Sequence, residues 1–248
     1  MKHWWLLIAT GVWLGLSGCG GRVESPPAAS NMDEANAPPI AAVPLVEPSW
    51  DQQVSAVRQG TTSAIRFSGQ VTPAQWSQLY EGCEGLLVLS LPEAQIGDSQ
   101  LGILVHLSSL RQLVLGGPIG DEGLSQIAAC SSLEILNLPR GRFGDIGLKK
   151  LQHLPLLTLL RFGSPNVTDA GFDSLAGMPN LRFLHLLRTP ITDTGLDHVK
   201  RCPLLESFYI DGGDCTEEGL SCLLKSHPGL HLHVNQLHLA GDEHADGH

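Results

Sequence analysis

One phrase in this chain returns at a locked interval, and that interval limits the fold more than any other feature. Apolar triplets spaced x, x+3, x+5 begin at residues 86, 110, 133, 157, 181 and 205. The steps are 24, 23, 24, 24 and 24 residues. The triplets are Leu86/Leu89/Leu91, Leu110/Leu113/Leu115, Leu133/Leu136/Leu138, Leu157/Leu160/Phe162, Leu181/Leu184/Leu186 and Leu205/Phe208/Ile210. Degraded copies begin at Thr62 and Gly229, where a stacked array needs end caps.

The residue types inside one period spell a strand, a turn, a short helix and a return. The last two members of each triplet lie two apart and share one strand face. After the turn come an inward apolar residue, then Thr or Gly, then a carboxylate. "ITDTGLDHVKRCPLLESFYI" (191–210) is one copy. The carboxylates are Asp98, Asp121, Asp145, Asp169, Asp193 and Glu217. Thr or Gly is a good helix N-cap, and a carboxylate suits the positive end of the helix, so this column is expected to cap helices. Leu124/Ile127, Leu148/Leu151, Phe172/Leu175, Leu196/Val199 and Leu220/Leu223 are each three apart, on one helix face. Gly123, Gly147, Gly171, Gly195 and Gly219 recur where glycine weakens a helix, which predicts a close backbone approach between turns. A lone turn buries too little to offset its own ordering entropy. Stacked turns bury both sides of each leucine layer and add a parallel ladder.

The pattern resembles the leucine-rich repeat family from about Thr61 to Val234. It is similar to the helix-containing, ribonuclease-inhibitor-like and cysteine-containing subtypes. The resemblance implies an α/β solenoid, with parallel strands on a concave face and short helices on a convex one. About seven to eight repeats would fill residues 49–234. One departure stands out. Three positions after the triplet, where the family often has Asn or Cys, this chain has Ala94, Gly141, Pro165, Thr189 and Gly213. The short copy is shifted near Pro118. No continuous Asn ladder can form, so the turns need other partners.

The N-terminus has a different composition. "MKHWWLLIATGVWLGLSGCG" has a basic head and a 13-residue apolar run from Trp4 to Leu16, too short to span a bilayer. Leu16-Ser17-Gly18-Cys19 resembles the lipobox of bacterial lipoproteins. That resemblance implies a signal peptide over 1–18, cleavage before Cys19 and lipidation of Cys19. Gly20, in place of a retention Asp, favours the outer membrane. Residues 19–48 are rich in Pro and Ala, have no periodicity, and read as a tether of ~30 to ~90 Å. Residues 235–248 form a His-rich tail. The expected location is the bacterial cell envelope, with the folded domain outside the cytoplasm and membrane contact through the lipid alone.

Charge and motifs exclude several functions. The net charge of −10 argues against a nucleic-acid partner. There is no Cys-x-x-Cys pair among the six cysteines, no phosphate loop, no G-x-S-x-G elbow and no H-E-x-x-H. No enzyme activity and no cofactor are implied. Cys83, Cys130 and Cys202 share one register as buried thiols, and Cys222 falls on the polar side of its helix. A Cys215–Cys222 bridge stays open. Asn166-Val167-Thr168 matches a glycosylation sequon, but it falls in a tight turn of a chain with a bacterial lipobox.

Strand alternation leaves one row of side chains facing outward: Arg66, Ser90, Val114, Asn137, Arg161, His185, Tyr209 and His233. A second row contains Leu159, Phe183 and His231. Arg161, Leu159, Phe183, His185, Arg188 and Tyr209 form the aromatic–arginine mixture typical of binding hot spots. They predict a protein partner. Arg188 adds positive charge in an otherwise acidic chain, which points to an acidic surface on that partner. The alternative is a metal-binding envelope protein acting through its His-rich end, with His231 and His233 as weak ligand candidates.

Overall fold

The computed structural model describes residues 47–235 and 237–238. Eight parallel strands stack in chain order: β1 (Ala64–Arg66), β2 (Val88–Leu91), β3 (Gln112–Leu115), β4 (Ile135–Leu138), β5 (Leu159–Phe162), β6 (Phe183–Leu187), β7 (Ser207–Asp211) and β8 (His231–Val234). Each residue pairs with its counterpart one repeat later, as Leu160 with Leu184 and Leu184 with Phe208. A ninth strand, β9 (Leu237–His238), pairs antiparallel with β8. This is an α/β solenoid of leucine-rich repeat type.

The helical segments follow the strands. α1 (Trp50–Arg58) and α2 (Pro73–Ser77) precede the regular repeats, each opened by a reciprocal capping box, from Ser49 and Thr72. α3 (Asp121–Ile127), α4 (Asp145–Lys150), α5 (Asp193–Val199) and α6 (Glu217–Ser226) lie between later strands. Two turns, Asp98–His106 and Asp169–Gly177, are 3-10 helices instead. The paired apolar positions of the sequence are all buried, Leu196 and Val199 among them. Every strand leucine of the triplets is buried, and Cys83, Cys130 and Cys202 join the core. The five described cysteines are free, so Cys215 and Cys222 are unpaired.

The single 23-residue step leaves the strands in register: Leu113 still pairs with Leu136. The missing residue is absorbed between β3 and α3. Gly116 and Gly117 lie so close to the carbonyls of Pro92 and Ile96 that a Cβ at either would overlap the preceding loop. Arg140 then reaches back across two turns to donate to Gly116 O and Pro92 O, both at 2.6 Å.

The aspartate column takes its expected place in the first turns, behind Gly or Thr N-caps, and adds a second role. Asp98, Asp121, Asp145, Asp169 and Asp193 do open their helical segments. Their carboxylates, however, accept hydrogen bonds from the N-cap residue of the next turn. Gly120 N donates to Asp98 at 2.8 Å and Gly144 N to Asp121 at 2.7 Å. Thr168 donates to Asp145 through both N (2.8 Å) and Oγ1 (2.7 Å). Thr192 does the same to Asp169, and Thr216 to Asp193. The column is therefore a ladder between turns, and it supplies the stitching that the absent Asn ladder cannot. It also explains the recurring glycines. A Cβ at Gly123, Gly147, Gly171, Gly195 or Gly219 would run into the carboxylate oxygen of the preceding turn. The close approach is made by that side chain more than by backbone.

The β1 edge of the sheet is covered. The Gln53 side chain is buried against β1, donating to Arg66 O at 2.9 Å and accepting from Arg66 N at 2.8 Å. One amide thus mimics a neighbouring strand and blunts an edge that would otherwise template aggregation. At the other end β9 pairs antiparallel with β8.

Candidate functional site

The outward row forms a connected surface over β4 to β8. Arg161 Nη1 donates to Asn137 Oδ1 at 3.0 Å. Arg161 Nε donates to His185 Nδ1 at 3.3 Å, and the other ring nitrogen of His185 lies 2.9 Å from Asp211 Oδ2. These partners fix the tautomer: Nδ1 accepts and Nε2–H donates to Asp211. Burial, aided by the Arg161 charge, holds the His185 pKa below its ordinary value against the opposing pull of Asp211, so the ring is neutral at pH 7. Burial likewise lowers Arg161, while Asp211 raises it.

Next to this chain is an aromatic cluster. Tyr209 stacks on His233 at 4.4 Å with an interplanar angle of 8°, and touches His185 (5.4 Å) and His231 (6.0 Å). Phe183 is 37% exposed, beside the Arg182 guanidinium, which pairs with Glu206. Leu159 is half-buried on the neighbouring strand. The structure thus sets His185 in contact with Arg161 on one side and Tyr209 on the other, with Phe183 and Leu159 paired in the adjacent row. Val114 departs from the expectation for its row. It is on the outward face but buried.

Arg188 lies just beyond the row, exposed, with a left-handed backbone (φ 50°) held by its N–H on Asp211 O. It lines a cleft of about 600 Å³ at the C-terminal ends of the strands, together with Arg140, Arg161, Leu187, Asp211 and Asn235. Asp211 joins the network without having been singled out from sequence. The available signal was strand period: it lies two residues after Tyr209, on the same face. Arg140 was also missed, because its work is done through backbone carbonyls, for which a lone Arg in a turn gives no signal.

The remaining candidates carry less chemistry. His231 Nε2 and His233 Nε2 lie 2.6 Å apart. No group of three His, Cys, Asp or Glu side chains among the described residues could hold a metal ion, so the metal reading gains no support. Burial pushes the thiols of Cys130 and Cys202 up to about 11 and that of Cys215 to about 12, far from a reactive thiolate at neutral pH. Among the described residues no helix is long and apolar enough to cross a membrane. Cys19, the lipidation candidate, lies outside the described residues.

No family model and no curated protein sequence matches the chain. Solved structures do. An internalin from Listeria monocytogenes superposes with a TM-score of 0.51 at 16% identity, over 77% of this chain and 59% of its own. The leucine-rich repeat ectodomain of the Arabidopsis thaliana receptor kinase GASSHO1/SCHENGEN3, solved in complex with CASPARIAN STRIP INTEGRITY FACTOR 2, gives a TM-score of 0.47 at 15% identity, over 75% of this chain and 23% of its own. The chain therefore spans less than two thirds of either neighbour. The internalin likeness defines a fold, the leucine-rich repeat solenoid, and assigns no activity.

Proposed function

We propose that this protein is a non-enzymatic, lipid-anchored leucine-rich repeat protein of the bacterial cell envelope that docks a protein partner on its outward strand face. The carrying observation is the surface over β5 to β7. There an exposed Phe183 and the half-buried rings of His185 and Tyr209 share the strand face with Arg161, whose guanidinium donates to Asn137 and His185. Binding hot spots favour an Arg beside aromatic rings. Leu159 adds apolar area, and Arg188 adds an exposed positive charge in an acidic chain, which favours an acidic partner surface. The anchor reading rests on the order of basic head, apolar run and "LSGC" at 16–19, and placement in the outer membrane rests on Gly20.

The docking face is tested by site-specific photocrosslinking in the native envelope. A crosslinking side chain at position 183 is expected to trap a protein that the same group at exposed Glu218 on α6 does not. Equal trapping at both, or trapping only at 218, would move the interface to the helix side. The anchor is tested by Cys19→Ser, which should leave the protein unprocessed or release it from the membrane fraction. Unchanged mobility, lipid labelling and fractionation would refute lipidation.

A further inference from the structure

The strand-end cleft has a construction unlike the rest of the solenoid. The positive-φ non-glycine residues among those described are Arg188 and Asn235, both at 50°, and both line it. Left-handed backbone at residues other than glycine is uncommon, and holding it requires local bonds. Here Arg188 N–H donates to Asp211 O, and Asn235 Oδ1 accepts from Gly212 N at 2.8 Å. The charges in the cleft are unequal. Arg140 Nη2 lies 3.6 Å from Glu93 Oε2 and donates to Pro92 O, while its Nε donates to Gly116 O. Arg161 is tied through neutral His185 to Asp211. The guanidinium of Arg188 has no ion pair among the described residues, so the cleft carries one surplus positive charge over a partly apolar lining of Pro92, Pro139 and Leu187.

We infer that this cleft takes the carboxylate of an acidic side chain on the partner, held by Arg188 and Arg161, and that filling it loads a proton onto His185. The inference rests on the protein-docking reading above. The proton coupling follows from the hydrogen bonds. Among the described residues, Arg161 on β5 and Asp211 on β7 are charges that act on the ring, and Tyr209 on β7 is an aromatic neighbour. Neutral His185 accepts from Arg161 Nε–H and so ties that guanidinium to the sheet. Protonated His185 carries N–H at Nδ1, cannot accept, and repels Arg161, which turns toward the cleft while His185 forms an ion pair with Asp211. An incoming carboxylate stabilises both cations. It therefore raises the His185 pKa, and by linkage the carboxylate binds more tightly as pH falls. The gain is roughly tenfold for each unit by which the occupant lifts that pKa.

His185→Gln is the discriminating variant, because a Gln amide can accept from Arg161 and donate to Asp211 at every pH. The first measurement is NMR of the full chain, following the Arg161 Nε–H signal, assigned by its loss in Arg161→Lys. In wild type it is expected to titrate with the His185 ring, and in His185→Gln it is expected to stay constant. An Nε–H signal that ignores His185 overturns the coupling, whatever binds. The second measurement is affinity for amide-capped hexaglutamate, with hexaglutamine as control, at pH 5.5 and 7.5. The wild-type ratio between the two pH values should exceed the His185→Gln ratio, and Arg188→Ala should weaken binding at both. If the Nε–H signal titrates but hexaglutamate binds no better than hexaglutamine, the carboxylate occupant is refuted and the proton switch on Arg161 stands. Equal pH ratios in the two proteins refute the linkage.

Discussion

The aspartate column and the outward strand row are built on the same repeats, yet they differ in what they allow to vary. From Asp98 to Asp193 the column repeats one residue and one bond, a carboxylate receiving the N-cap amide of the next turn. Over the same turns the outward row reads Ser90, Val114, Asn137, Arg161, His185 and Tyr209. Stacking imposes the same geometry on every copy, so positions that serve stacking converge. Positions that face solvent are released from that demand and can be shaped by whatever lies against them. Variation inside a rigid period therefore points to where binding is made, and uniformity points to what holds the solenoid together.

Both regions depend on the leucine core, and the largest expected effect removes the contrast. Leu184 is fully buried between Leu160 and Phe208. Leu184→Asp places an uncompensated charge there and should cost about 4 kcal/mol or more. Thermal unfolding by circular dichroism checks it. A melting temperature within a degree or two of wild type would mean that the register is wrong.

The next effect isolates the column. At Gly219 the atoms that a Cβ would overlap all belong to Asp193, so the clash has one cause. Gly219→Ala should destabilise by about 1 to 3 kcal/mol, through crowding and disruption of the Asp193–Thr216 bonds. Asp193→Ala alone should also destabilise. The double variant should be more stable than the sum of the two losses, since removing the carboxylate makes room for the methyl group. Additive losses in urea unfolding would disconnect the glycine column from the aspartate column. Neither variant should change crosslinking at position 183.

The fold was legible from sequence, because burial demands the same side chain at the same place in each turn. Leu89, Leu113, Leu136, Leu160 and Leu184 recur for that reason and fill one layer. The direction in which Asp169 points was not legible. A carboxylate at a helix start can serve its own helix or the next turn, and only the packing of Gly195 beneath it decides. The outward face followed from strand alternation, so Arg161, His185 and Tyr209 could be placed together. Their hydrogen-bond order, and the inclusion of Asp211, depend on side-chain rotamers for which sequence carries no signal.

A smaller effect concerns the end of the array where the period is worn. Gln53→Ala should cost about 1 to 2 kcal/mol by leaving Arg66 N and O without their buried partner. It should also open β1 as a pairing edge, so concentration-dependent dimers are expected by sedimentation. A monomeric variant of wild-type stability would show that α1 covers the edge without this amide.

The smallest effect separates the two regions by pH. The His185 pKa is held below its ordinary 6.5, chiefly by burial. The unfolded chain then binds that proton first as pH falls. Stability is full above about 6.5, declines below it, and levels off once the folded ring is also protonated, with a slope of no more than about 1.4 kcal/mol per pH unit. Asp193 is held below its ordinary 3.8, first by the Thr216 side-chain hydrogen bond and then by the Thr216 backbone bond. Its contribution is present above 3.8 and is lost as pH falls through the lower folded value. Acid unfolding should therefore show two windows, an upper one to which His185 contributes and a lower one to which Asp193 contributes. Relative to wild type, His185→Gln should flatten the upper window and leave the lower one, while Asp193→Asn should do the reverse. Urea midpoints measured from pH 8 to pH 3 read both slopes. A His185→Gln profile parallel to wild type between pH 7 and 5 would remove the buried imidazole from the account.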